Sequence, residues 1–125
     1  MGADLYIGSP ELNSSDDSLY FRDPYNCSSI MRQLGYSWWN LDDAIGVITR
    51  ADDTGYGVLD LPEIAEFLKV LKNTPLLPIN EEWLAENHGE GTVDEWNQDF
   101  KESYNELINF LERALSMKTA IYTSL

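Results

Sequence analysis

A chain of 125 residues, 43% hydrophobic and 12% aromatic, with no low-complexity tract, is long enough to fold as one domain over residues 1–125 with its own core. Twenty-two acidic residues against eight basic ones leave a net charge of -14, which disfavours direct contact with phosphate backbones or anionic lipid and favours basic proteins as partners. The single cysteine, Cys27, excludes an intramolecular disulfide, no stretch approaches the ~20 apolar residues of a membrane span, and no basic segment followed by an apolar run opens the chain; together these lead to the expectation of a cytoplasmic protein with no membrane attachment.

In chain order, Leu5, Tyr6 and Ile7 suit a short strand that Gly8 and Pro10 break. Asn26 is positioned to cap a short helix reaching Arg32 or Leu34, with Gly35 as its left-handed terminator. A second helix, capped by Ser37, carries Trp38, Leu41, Ala44, Ile45 and Ile48 at helical spacing and is expected to end near Asp52. Residues 53–57 read as a turn, and Val58 and Leu59 as a brief extended stretch. Asp60 then opens a helix with the apolar stripe Leu61, Ile64, Ala65, Leu68 and Leu71, stopped by Asn73 and Pro75. Asn80 caps a short acidic helix over 81–86 that His88 and Gly89 close. The longest helix begins at Thr92, with Glu95 three residues on as a capping-box partner, and runs through Trp96, Phe100, Tyr104, Leu107, Leu111 and Ala114 to about Met117. Residues 119–123 suit a last strand that pairs with the first. The fold class these elements add up to is mainly α: a compact domain of four to five helices with short N- and C-terminal strands.

Two patterns bear on function. From Glu81 to Glu112 ten acidic residues face Lys101 alone, so this segment holds nine of the fourteen net negative charges. Within the longest helix Glu95, Asp99, Glu102 and Glu106 follow the spacing i, i+4, i+7, i+11 and form one stripe, roughly opposite Phe100, Leu107 and Leu111. Like charges so placed repel by roughly 0.2–0.5 kcal/mol per pair. A solvated, solubilising face explains them, and so does a row of carboxylates that Lys and Arg of a nucleic-acid-handling protein accept in place of phosphate. The second pattern is Asp52 to Glu63, which resembles an EF-hand calcium loop with Gly57 at its sixth position; Asp52, Thr54, Asp60 and Glu63 would be the ligands. Thr54 and Tyr56 stand where short oxygen donors belong, however. Asp60 as N-cap with Glu63 as its capping-box partner accounts for the same residues without metal.

Tyr20, Phe21, Tyr25, Tyr36, Trp38 and Trp39 crowd twenty residues with only Arg22 and Arg32 between them, too few cations for base stacking along nucleic acid. Trp38 falls on an apolar stripe, which leaves its neighbour Trp39 as a partner-contact candidate. His88 and Cys27 lack the companions of a nucleophilic site, and neither zinc spacing nor a phosphate-cradling glycine loop is present, so no catalytic residue and no cofactor are assigned.

The opening residues 1–7, the run Tyr20-Phe-Arg-Asp-Pro-Tyr-Asn26 and the run Leu34-Gly-Tyr-Ser-Trp-Trp39 together resemble small uncharacterised proteins of phages and their bacterial hosts. The resemblance covers about the first third of the chain. It implies no activity, cofactor or catalytic residue, only the setting in which small acidic proteins act as accessory factors or inhibitors of host defence.

Overall fold

The computed structural model describes residues 2–8, 17–38, 50–51 and 57–125. They form a mixed α/β fold. The expectation of a mainly α domain is corrected by a five-stranded antiparallel sheet, ordered β2-β1-β5-β4-β3, with four α-helices among the described residues. Strand β1 (Gly2–Ile7) pairs with β2 (Tyr20–Pro24) on one side and with β5 (Ile121–Ser124) on the other; β4 (Gly57–Leu59) joins β5 to β3 (Arg50–Ala51). The two chain ends therefore meet at the middle of the sheet as expected, but they are its centre and not a minor element.

Strand β2 leaves a mixed signature in the sequence, with an aspartate at one of its inward positions and a tyrosine at one of its outward ones. Its buried positions are Phe21 and Asp23, whereas Tyr20 and Arg22 point outward, so the usual apolar-in, polar-out signature is absent. Strand β3 corrects a second expectation. Arg50 and Ala51, placed in the end of a helix by periodicity, pair with Val58 and Gly57 instead. Residues 39–49, which contain most of that expected helix, lie outside the described residues.

Helix α1 (Ile30–Gln33) starts later than expected. Ser29, not Asn26, is its N-cap and accepts from the Arg32 amide, while Asn26 Oδ1 accepts from the Ser28 amide in a turn. Gly35, at φ 90°, closes it in the left-handed region as its sequence position suggests. Helix α2 (Leu61–Lys72) begins with Asp60 and Glu63 in a capping box, Glu63 Oε1 accepting from the Asp60 amide at 3.1 Å, and Pro62 sits where its missing N–H costs nothing. Asn80 caps α3 (Glu81–Glu86), and Thr92 caps α4 (Val93–Met117), which a left-handed Lys118 terminates.

The core lies between the inner sheet face and the helices. Ala3, Leu5, Ile7, Leu59 and Ile121 from the sheet are fully buried against Ile64, Phe67 and Leu71 of α2 and Leu107, Leu111 and Ala114 of α4. Each of the larger side chains contributes about 1.5–3 kcal/mol by leaving water. On the outer face one rung runs across four strands, Tyr20, Tyr6, Tyr122 and Val58, and its register continues to Arg50 in β3. Tyr20 donates its hydroxyl to Asp4, which also pairs with Arg22 at 3.3 Å, and burial together with that bond pushes the Tyr20 phenol up from its ordinary pKa.

Candidate functional site

Helix α4 presents its acidic row along one wall of a groove. Glu95, Asp99, Glu102 and Glu106 all line a cavity of about 410 Å³ together with Trp96, Phe100 and Ser103 of the same helix. Pro24 at the end of β2 and Ser28 in the turn before α1 form the facing wall, and Glu90 adds a fifth carboxylate. The four residues of the row are exposed, and none makes an ion pair among the described residues. Glu102 accepts from Gln98 at 3.1 Å, and the Glu95 amide is held by the Thr92 cap at 3.2 Å. The expected row thus exists, but on the flank of α4 and not opposite its apolar face: Phe100 serves both the core and the groove.

An aromatic base supports the groove. Trp96 packs edge-on to Trp83 at 5.3 Å between ring centroids and lies 5.9 Å from Phe100, while its indole N–H donates to the Glu90 carbonyl at 2.7 Å. Half-buried and held at both ends, the ring is a rigid surface beside exposed carboxylates, an arrangement suited to a guanidinium or ammonium group that gains from charge and from the ring face together. Gly89 makes this packing possible, because a Cβ there would sit 3.1 Å from the Trp96 ring and closer still to Leu84. Gly89→Ala is expected to cost about 1–3 kcal/mol by overpacking and to weaken the near-ultraviolet dichroism of the tryptophans. An unchanged spectrum and melting temperature would show that the ring tolerates displacement.

The second sequence pattern divides. Asp60 and Glu63 are engaged in the α2 capping box, and Asp52 and Thr54 lie outside the described residues, as does Trp39. Among the described residues no group of three His, Cys, Asp or Glu side chains is arranged to hold a metal ion. No helix among them is long and apolar enough to cross a membrane.

One residue with a large structural role was missed. Asp23 is only 2% exposed and its carboxylate accepts four hydrogen bonds: from Ser29 Oγ at 2.7 Å, Trp38 Nε1 at 2.7 Å, and the amides of Ile30 at 2.9 Å and Met31 at 3.3 Å. It ties β2 to the start of α1 and to Trp38, whose 3% exposure confirms its place in the core. The available signal was an aspartate at an inward position of a strand beside aromatic neighbours, legible only once β2 is recognised. Tyr25 stands close by, and burial, with the charges of Asp4 and Asp23, raises its phenol pKa.

No protein-family model, curated protein or solved structure matches this chain.

Proposed function

We propose that this protein is a non-enzymatic, cytoplasmic interaction protein whose α4 groove receives a basic segment of a nucleic-acid-handling protein, acting as a phage-type inhibitor that takes the place of nucleic acid. The observation that supports this reading is the gathering of Glu95, Asp99, Glu102 and Glu106 along one groove beside Trp96, exposed and without cationic partners among the described residues. A merely solubilising surface has no need of a concave wall or an aromatic base. The overall charge of -14 steers basic partners toward the molecule and repels nucleic acid itself.

Charge spacing narrows what is imitated. From Glu95 to Glu106 the helix rises about 16 Å, so the row carries about one charge per 5.5 Å, against one per ~1.7 Å in a duplex and ~3.4 Å along one of its strands. The row therefore stands in for a stretch of a single backbone, and a groove that tracks one strand, where basic residues alternate with aromatic ones, is the matching surface.

Affinity capture from bacterial lysate with this protein as bait tests the reading. A basic protein should be retained and then released by single-stranded DNA and by salt, with affinity falling steadily as the salt concentration rises. If whatever binds is insensitive to both competitors, the groove does not act as a substitute for nucleic acid.

A further inference from the structure

A second, smaller cavity, separate from the acidic groove, is built almost entirely from the aromatic segment between Tyr25 and Trp38. It measures about 220 Å³ and is walled by Tyr25, Tyr36 and Trp38, with Ser29 at its base and Asn26 and Arg32 at the rim. Most of the polar groups in these walls are already spent. Ser29 Oγ and Trp38 Nε1 both donate to Asp23, the Tyr36 hydroxyl pairs with Thr74 Oγ1 at 2.7 Å, and Asn26 Oδ1 accepts from the Ser28 amide. Arg32 is the one cation among the lining residues. Its exposed guanidinium gives one hydrogen bond, to Asn87 Oδ1 at 3.2 Å, and its other N–H groups meet no acceptor among the described residues.

The Trp38 side and the base of the cavity are held for a physical reason: the buried Asp23 carboxylate fastens the Ser29 side chain, the first turn of α1 and the Trp38 indole to one point. A preformed, largely apolar cavity with a planar cation at its rim selects a small flat ligand with an anionic end. We propose that this cavity is a binding site for a small aromatic carboxylate, its ring lying between Tyr25, Tyr36 and Trp38 and its carboxylate on Arg32. A cavity of this size lies below the range of about 300–1,000 Å³ that accommodates drug-sized ligands, so a single-ring compound is the fit. The bidentate match between guanidinium and carboxylate supplies the direction of binding, and the half-buried Tyr25 and Tyr36 rings supply most of the contact area. The acidic surface of the molecule as a whole repels anions, so the preference for a carboxylate rests on the Arg32 guanidinium.

Benzoate and its uncharged analogue benzamide are the probes, titrated into isotope-labelled full-length protein with the Trp38 indole N–H signal followed by NMR. Benzoate should shift that signal with a dissociation constant on the order of 1 mM, as expected for so small a ligand, and benzamide should bind about tenfold more weakly. Arg32→Gln, at an exposed position outside the core, should weaken benzoate about tenfold and leave benzamide unchanged, whereas Asn87→Ala should keep benzoate binding. Equal responses to the two probes, no shift of the Trp38 signal, or an Arg32→Gln protein that binds benzoate as the parent does would each overturn the proposal. The comparison of the two probes on the parent protein needs no variant to fold.

Discussion

Asp23→Asn is expected to lower stability by about 3–5 kcal/mol, because a buried group bonded to four donors loses an acceptor and gains an NH2 that faces donors. An asparagine offers one acceptor oxygen in place of two, so some of the four donors, Ser29 Oγ, the Trp38 indole and the Ile30 and Met31 amides, are left buried without a partner. A protein of this size has roughly 5–15 kcal/mol in hand, so the variant should stand near the edge of folding at 37 °C. Urea unfolding checks the magnitude, and near-ultraviolet dichroism should show Trp38 released from its fixed position. A loss below about 1 kcal/mol would mean that water or a shift of α1 satisfies the orphaned donors.

The second large effect separates binding from stability by moving them in opposite directions. Asp99→Lys combined with Glu106→Lys, with Glu95 and Glu102 kept, makes the row alternate between carboxylate and ammonium and replaces three repulsive pairs at i+3 and i+4 by three attractive ones. Each replacement is worth roughly 0.4–1 kcal/mol, so the double variant should be more stable by about 1–3 kcal/mol. Two of the new pairs place the glutamate on the N-terminal side, the better orientation. Capture of the basic partner should nevertheless be lost, together with its salt dependence, because the altered row carries no net charge. A more stable protein that still captures the same partner would remove α4 from the interface, and a loss of binding cannot then be blamed on unfolding. A native carboxylate row that costs stability where alternating charges would add it is the pattern expected of a surface kept for recognition.

The helices are the part of this fold that local sequence governs. Asp60 with Glu63, Asn80, and Thr92 with the Glu95 amide all cap where their side-chain chemistry places them, and Gly35 takes the left-handed turn for which only glycine carries no strain. These are interactions across three or four residues, so they leave a local signature. The acidic row was legible for the same reason, since helical spacing alone aligns positions 95, 99, 102 and 106. That it shares a groove with Pro24 and Ser28 was not legible, because the facing wall comes from a segment some seventy residues away.

The sheet and the Asp23 anchor were decided by tertiary structure. Arg50 and Ala51 follow a helical pattern, yet pairing with β4 at the sheet edge outweighs a weak local propensity over two residues. Phe21 and Asp23 turn inward because β2 must cover α4 with one face and pair with β1 along its edge, and a carboxylate is tolerated at that depth only because Ser29, Trp38 and the open amides at the start of α1 converge on it. The sequence by itself determined where most of the helices start and stop, which residues are acidic in line, and that the two ends are strands. Which strands neighbour which, which face of α4 borders a cavity, and how a charged residue survives in the core depend on contacts between residues far apart in the chain, whose energy no local pattern carries.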